Sequence, residues 1–292
     1  MEKVGFVVLH FGDWGITDLC LGSIRELDGA GDAVVLVVDN EVKKSPEERE
    51  RTRAHFEAAP NVRVLRNEGD GGFSEANNLG YACARDVLEC KFILVLNNDI
   101  TFVQKDFLTR LKKVYEKRHC EVLAPDIVRA STGEHQNPLD VRIRTESEVL
   151  YTIRMNELAL KTFALSGKLL PKLEERSAEA GARVRQKNWG YFARQEEDVV
   201  PFGACLIFTP RFVEKEREAF APKTQFFYEE YILALRCQRE GYLVRYDPEL
   251  RVAHESGKAT KTLGSTGART RFKVERMLEA AKVYLKYLRS GR

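Results

Sequence analysis

The apolar positions of the first hundred residues fall into short runs, each of which stops at a polar cluster. Residues 4–9, 33–38, 61–65 and 92–96 are such runs. They are too short for helices, and the run at 92–96 is apolar throughout, as in a strand buried on both faces of a parallel sheet. Between them lie stretches with helical character: 13–27, where Thr17 or Asp18 is a plausible cap, and 74–88. A third begins at Ser45-Pro46-Glu47-Glu48, where Ser caps, Pro suits the first turn and the acids favour the helix dipole. Strand and helix in alternation predict right-handed crossovers and an α/β fold with a mostly parallel central sheet flanked by helices.

The pattern changes after residue 130. Residues 131–198 carry few strand signals, and a basic, apolar, helix-like stretch at 156–179 is interrupted by Gly167 and Pro171. This reads as a helical insertion. A strand is expected at 199–209, and a helix at 225–240 that stops at Gly241. Two short strands, 242–246 and 250–253, follow on either side of Asp247-Pro248. Residues 269–292 predict a basic amphipathic helix with Val274, Leu278, Ala281, Leu285 and Leu288 on one side. The chain therefore divides into 1–130, 131–198, 199–267 and 268–292.

Composition narrows the class. With 292 residues, 43% hydrophobic and 31% charged, the chain has the make-up of a globular protein with a substantial core. A net charge of +3 does not call for a nucleic-acid partner. No apolar run is long enough to span a bilayer, and the N-terminus carries no signal-peptide pattern. The scattered cysteines, Cys20, Cys83, Cys90, Cys120, Cys205 and Cys237, read as reduced thiols of a cytoplasmic protein.

The chemistry gathers where strands end. In an open α/β sheet, ligands lie beyond the carboxyl ends of the strands. His10-Phe11-Gly12-Asp13, Asp39-Asn40 and Asn97-Asn98-Asp99 all follow predicted strands. Asp99 stands where a carboxylate would hold a hard cation together with phosphate oxygens and water, although Asn-Asn-Asp is also good turn chemistry. A fourth cluster runs from Asn67 to Asn78 through Gly69, Gly71, Gly72 and Phe73, with Asn77 at its end. Its glycines permit close approach of a ligand, and the following helix would offer free amides to phosphate; the plainer reading is a glycine-rich surface loop. The near-match of residues 69–74 to a dinucleotide fingerprint fails, because Ser74 replaces the third glycine and the expected acid is missing. Further on, Glu229 and Glu230 would point about 100° apart on a helix, so they cannot share one role. Acids in a first turn also simply favour the dipole. His254 ends a strand, where a histidine near a carboxylate-bound cation becomes a candidate ligand.

In their order, these clusters resemble the family 2 glycosyltransferases, inverting enzymes of the GT-A fold. The landmarks are Val38-Asp39-Asn40, Gly72-Phe73-Ser74-Glu75-Ala76-Asn77-Asn78-Leu79-Gly80, Leu96-Asn97-Asn98-Asp99, Gly203-Ala204-Cys205, Tyr228-Glu229-Glu230 and Val252-Ala253-His254. The likeness is to bacterial enzymes of O-antigen, capsule and related polysaccharide synthesis, rhamnosyltransferases among them. The resemblance implies a nucleotide-diphosphate sugar donor, UDP- or dTDP-linked, and a glycan or glycolipid acceptor. It implies that Asp39 contacts base or ribose and that Asp99 binds Mg2+ or Mn2+, with His254 completing the metal or diphosphate site. Asn97 takes the place of the first Asp of an Asp-x-Asp motif, and Gly203 and Ala204 line the donor sugar. His10, Asn67, Gly72, Phe73, Asn77, Asn78 and Asn98 belong to the same donor-binding set. Glu230 occupies the general-base position as a Glu in place of the family's Asp, with Glu229 in reserve; the later Asp of that helix is Ile232 here. The basic tail and the 156–179 stretch suggest peripheral contact with an anionic membrane, against the plainer reading of helix packing. Two other readings share part of the pattern. A sugar nucleotidyltransferase would need a glycine-rich basic loop in place of Leu9-His10-Phe11-Gly12-Asp13-Trp14, and a noncatalytic nucleotide-sugar-binding protein would leave Glu229-Glu230 and His254 without a purpose.

Overall fold

The computed structural model describes residues 2–69, 72–165, 190–255 and 266–291. Among the described residues nine strands form one mixed sheet in the order β3-β2-β1-β4-β8-β6-β9-β5, with β7 paired to β9. The strands β1 (Val4–His10), β2 (Val34–Asp39), β3 (Val62–Arg66) and β4 (Phe92–Asn97) are mutually parallel. Beyond β4 come β5 (Ile100–Phe102), β6 (Val122–Arg129), β7 (Glu196–Glu197), β8 (Cys205–Phe208) and β9 (Val244–His254). β8 runs antiparallel to β4 and to β6, whereas β6 and β9 are parallel to each other.

Helices cover both faces of the sheet. One core cluster packs the sheet against α1 (Trp14–Arg25), α2 (Pro46–Glu57) and α4 (Phe107–Lys117). The other packs it against α3 (Phe73–Ala82), α6 (Pro210–Lys215) and α7 (Glu229–Glu240). A third cluster joins α7 to α5 (Glu146–Leu165) and α8 (Thr266–Arg289) through Val149, Ile153, Tyr228, Ile232, Ala281 and Tyr284. α7 thus lies at the seam between the sheet layer and a separate helical layer, and its N-terminus carries Glu229 and Glu230. Close approach of α3 to the sheet depends on Gly80, where a Cβ would come within 2.3 Å of Val7 Cγ1.

Local chemistry sets most boundaries. Ser45 and Glu48 form a reciprocal capping box at α2, with Pro46 in its first turn. Gly241 ends α7 in the left-handed conformation at φ 67°. Several boundaries depart from the sequence reading. α1 is capped by Asp13, which accepts from Gly15 N–H at 2.6 Å, and not by Thr17 or Asp18. α5 begins ten residues before the expected 156, because Thr145 and Glu148 make another capping box: Glu148 accepts from Thr145 N–H at 2.8 Å, and Glu148 N–H donates to Thr145 Oγ1 at 3.4 Å. The rest of the 156–179 stretch, including Gly167 and Pro171, lies largely outside the described residues.

The expected strand at 199–209 shortens to β8, with Val200 making only an isolated bridge to Asp140. The two short strands at 242–253 are one strand, β9. Its register with β6 jumps from Pro125↔Asp247 to Asp126↔Arg251, so residues 248–250 bulge out and absorb Pro248, which cannot donate to the ladder. The apolar side of α8 faces inward: Ala280, Ala281, Tyr284 and Leu285 are buried in the third cluster, with Leu278 and Leu288 packed against it. All six cysteines are free thiols.

Candidate active site

The β1, β2 and β4 ends lie side by side in register, Leu9 opposite Asn97 and His10 opposite Asp39, so their terminal side chains meet at one edge of the sheet. His10 is fully buried, with Nδ1 2.7 Å from Thr17 Oγ1 and Nε2 without a hydrogen-bond partner among the described residues. Burial lowers its pKa to about 4, so the ring is neutral. Asn98 donates to the same Thr17 hydroxyl at 2.9 Å and to Phe11 O at 3.1 Å. Asp39, also fully buried, accepts from Arg49 Nε at 3.0 Å and from Glu41 N–H at 3.0 Å. Arg49 in turn donates to Asn67 O at 3.0 Å, and Asn67 Nδ2 reaches Asn40 Oδ1 at 2.7 Å. Asp39, Asn40 and Asn67 are therefore one cross-linked floor, with Arg49 of α2 as its bolt.

The first two amides of α3 are taken up within the protein. Phe73 N–H donates to Gln225 O at 2.6 Å, and Ser74 N–H to Thr224 O at 3.4 Å. Phe73 packs edge-on against Phe220, with ring centroids 5.3 Å apart. Asn78 clamps Phe220 from both sides, donating to its carbonyl at 2.8 Å and accepting from its N–H at 2.9 Å. Asn77 donates to Phe73 O at 2.9 Å and leaves its buried Oδ1 without a partner among the described residues. Phe73, Ser74 and Asn78 thus fasten the segment before α7 to α3.

Asp99 and His254 are brought into contact. Ile100 is opposite His254 in the β5–β9 pairing, and Asp99 Oδ1 lies 3.2 Å from His254 Nε2. His254 Nδ1 is 2.7 Å from Gln136 Oε1. With that oxygen accepting, Nδ1 carries a hydrogen and the ring is held with Nε2 toward the Asp99 carboxylate. The chemistry of the pair, one carboxylate and one imidazole oriented through its other nitrogen, is that of a divalent-cation donor set. No group of three or more His, Cys, Asp or Glu side chains makes a protein-only metal site among the described residues.

The tripeptide Phe202-Gly203-Ala204 joins the remaining groups. Ala204 O accepts from Asn97 N–H at 3.0 Å. Gly203 N–H donates to Glu230 Oε1 at 3.2 Å. The Phe202 ring lies 5.9 Å from that of His254. Phe202 N–H is itself held by Asn137 Oδ1 at 3.0 Å. One short segment therefore touches the end of β4, the end of β9 and the start of α7. Glycine at 203 leaves room for that carboxylate: a Cβ there would lie 2.8 Å from Glu230 Oε1.

The two glutamates differ in surroundings. Glu229 is buried, its Oε1 has no partner among the described residues, and Thr224 hydrogen-bonds to it. Burial, and then the neighbouring Glu230, push its pKa up to about 8. Glu230 is half-buried. Burial pushes it up too, but backbone N–H donors, Gly203 among them, and the Arg144 charge oppose the shift. The turn in front of the pair is strained: Phe227 and Tyr228 have φ of 71° and 65°. Such left-handed conformations in bulky residues cost of the order of 1–3 kcal/mol each and mark sites whose geometry is over-determined by their surroundings. Gln136, Asn137, Arg49 and Arg144 escaped the sequence reading. Each acts through contacts with residues ten or more positions away, and only the Gln136-Asn137-Pro138 polar turn offers a local signal.

This architecture is that of the GT-A glycosyltransferases. The S. aureus protein TarS (residues 1–349) matches with a TM-score of 0.52 and 12% identity over 99% of this chain and 72% of that one. The mannosyltransferase PcManGT from Pyrobaculum calidifontis, solved in complex with GDP-Man and Mn2+, matches with a TM-score of 0.52 and 12% identity over 98% of this chain and 74% of that one. An alignment to TarS in complex with UDP spans only 44% of this chain and 37% of that one, at a TM-score of 0.37 and 19% identity. No curated protein matches the sequence. The family model of glycosyl transferase family 2 matches residues 6–171, more than half of the chain, and the chain belongs to that family.

Proposed function

We propose that this family 2 glycosyltransferase moves a sugar, with inversion, from a nucleotide-diphosphate sugar to a hydroxyl of a glycan or glycolipid acceptor. The observation that carries the reading is the convergence on Phe202-Gly203-Ala204 of Asn97, Glu230 and the His254–Asp99 pair. A carboxylate able to accept a proton and a pair of groups able to face a diphosphate thus share one short wall.

In this reading Glu230 accepts the proton of the acceptor hydroxyl as its oxygen attacks the anomeric carbon from the side opposite the diphosphate. A positioned base contributes ~100- to ~10,000-fold in rate. The hydrogen bond from Gly203 aims the Glu230 carboxylate. The Asp39, Asn40 and Asn67 floor, with His10 and Asn98 beside it, supports nucleoside binding, and Gly203 and Ala204 line the sugar. Asp99 and His254 would hold Mg2+ or Mn2+. Bound there, the cation would neutralise negative charge on the departing diphosphate. The likeness of the sequence to bacterial polysaccharide enzymes favours a UDP- or dTDP-linked donor and a rhamnosyl- or hexosyl-type transfer. Residues 131–198 would supply acceptor specificity.

No helix among the described residues is long and apolar enough to cross a membrane. A cytoplasmic enzyme meeting a lipid-linked acceptor at the membrane surface would use a face other than the apolar side of α8, which is packed inward. Tyr151, Met155 and Leu158 of α5 are among the large apolar side chains exposed in that layer.

The test is a panel of nucleotide sugars with Mn2+, read as release of nucleoside diphosphate with and without glycan acceptors. Glu230→Gln should lower turnover at least ~100-fold while nucleotide affinity stays within about threefold. Near-wild-type turnover in that variant removes Glu230 as the base. Release of pyrophosphate from a nucleoside triphosphate would turn the reading toward a nucleotidyltransferase, and binding without any turnover toward a noncatalytic role.

A further inference from the structure

Arg144 lies in the connection that precedes α5, a region without a sequence motif, yet its side chain reaches the mouth of α7. Its guanidinium donates to Tyr228 OH at 3.0 Å and stands 5.4 Å from the centre of the Tyr228 ring and 4.7 Å from that of Tyr231. Its backbone carbonyl accepts from Tyr284 OH of α8 at 3.0 Å. The Tyr228, Tyr231 and Tyr284 rings pack on one another at 5.3–6.2 Å. Tyr231 OH donates to Asp140 Oδ2 at 3.1 Å, which closes the cluster on the far side. Tyr228 and Tyr231 bracket Glu229 and Glu230 in the sequence, and Tyr228 is the second of the two left-handed residues in the strained turn.

We propose that Arg144 is the positioning residue of this site: it clamps the strained turn in front of α7 and makes Glu230, not Glu229, the carboxylate that is free to take up a proton. This rests on the assignment of the Glu229-Glu230 pair to the base position.

The surroundings of the pair argue for the division of labour. Glu229 faces the hydroxyl of Thr224 and the neighbouring Glu230, with one oxygen left bare. Glu230 faces Gly203 N–H and the field of Arg144. The tyrosine hydroxyls around them are directed at Arg144 and Asp140. Of two carboxyl groups that feel each other's charge, the one that also feels a fixed cation ionises first. Arg suits this role because it stays charged and stacks flat on aromatic rings. A change in the 131–198 region that moves Arg144 would thereby alter the base without touching it.

The test reads ionisation directly, by carboxyl-carbon NMR of the protein labelled at glutamate, with Glu229→Gln and Glu230→Gln to assign the two signals. In the wild type Glu230 should titrate at lower pH than Glu229. In Arg144→Met the Glu230 midpoint should rise by about one pH unit, a tenfold change in proton affinity, and the acid limb of the transfer rate should move with it. Arg144→Lys, which keeps the charge and loses the fork, should move the midpoint by less than half as much. Tyr228→Phe, which releases the guanidinium from its hydroxyl partner and keeps the ring, should shift the same signal upward and serves if Arg144→Met does not fold. Glu230 titrating with or above Glu229, or a midpoint that ignores both Arg144→Met and Tyr228→Phe, overturns the inference. The expected shifts in a protein that transfers no sugar would sustain this inference and sink the proposed function; normal transfer with unmoved midpoints would do the reverse.

Discussion

Substituting Gly203 by alanine should separate the catalytic geometry from the stability of the fold. The backbone at Gly203 lies outside the left-handed region, so alanine can adopt it. The Cβ it adds would meet Glu230 alone at short range: 2.8 Å from Oε1, 3.3 Å from Cδ and 3.4 Å from Cγ. To bring the nearest approach from 2.8 Å to the 3.4 Å of ordinary contact, the carboxylate must retreat by roughly 0.6 Å. That retreat stretches the 3.2 Å hydrogen bond from Gly203 N–H beyond a useful length. Because the moving group is the end of a flexible side chain, the core need not adjust. Removing glycine also stiffens the unfolded chain, worth ~0.4–1 kcal/mol in favour of the variant. The melting temperature should therefore stay within about 2 °C of wild type. Displacement of a base by ~1 Å costs ~100-fold in rate, so a loss of roughly 10- to 100-fold in kcat is expected, with donor KM little changed. Steady-state transfer assays beside a thermal melt make the comparison. An intact kcat in the folded variant would refute the reasoning, as would a loss of rate explained by a drop in melting temperature of more than about 5 °C.

Two further outcomes follow from the buried polar groups. The pKa of His10 is depressed from 6.5 to about 4, so its contribution to stability is present above pH 6.5 and is lost as pH falls toward 4; the upper limit is about 3 kcal/mol, and urea unfolding at pH 7 and pH 4.5 should show a smaller acid loss in His10→Phe than in wild type. Asn78→Ala strands the buried N–H and carbonyl of Phe220, each costing ~1–3 kcal/mol, so denaturation should reveal a destabilisation of about 2–5 kcal/mol, and a variant as stable as wild type would show that the Asn78 clamp holds nothing.

What the sequence made legible was whatever a local pattern encodes. The parallel half of the sheet could be read because runs such as 92–96 are buried on both faces and end abruptly in polar residues. The position of Asp99 and His254 at strand ends could be read for the same reason, and that of the glutamate pair from acids opening a helix. Local signals failed where the sheet overrode them. Asp247-Pro248 looks like a break, yet β9 continues past it, because a bulge lets Asp247 accept from Glu249 N–H at 3.0 Å while the ladder resumes at Arg251. The onset of α5 is encoded in Thr145-Glu146-Ser147-Glu148, a capping box that the apolar stretch behind it outweighs in the pattern. The amphipathic pattern of α8 was read correctly as a helix, but pattern alone does not say whether an apolar face meets lipid or protein; packing with α5 and α7 answers that here. The braces of the site were illegible for a different reason. Gln136 holding His254, Asn137 holding Phe202 and Arg144 holding Tyr228 each join residues more than sixty positions apart, and no spacing announces such a contact.

The most direct test of a single nucleotide-sugar site is diffraction from crystals grown with Mn2+ and a nucleoside diphosphate, using manganese anomalous scattering to locate the metal. An anomalous peak is expected at the Asp99–His254 pair, with the diphosphate reaching it and the nucleoside lying toward Asp39. Nucleotide density elsewhere on the protein, or manganese at a site that includes neither Asp99 nor His254, would contradict a single site.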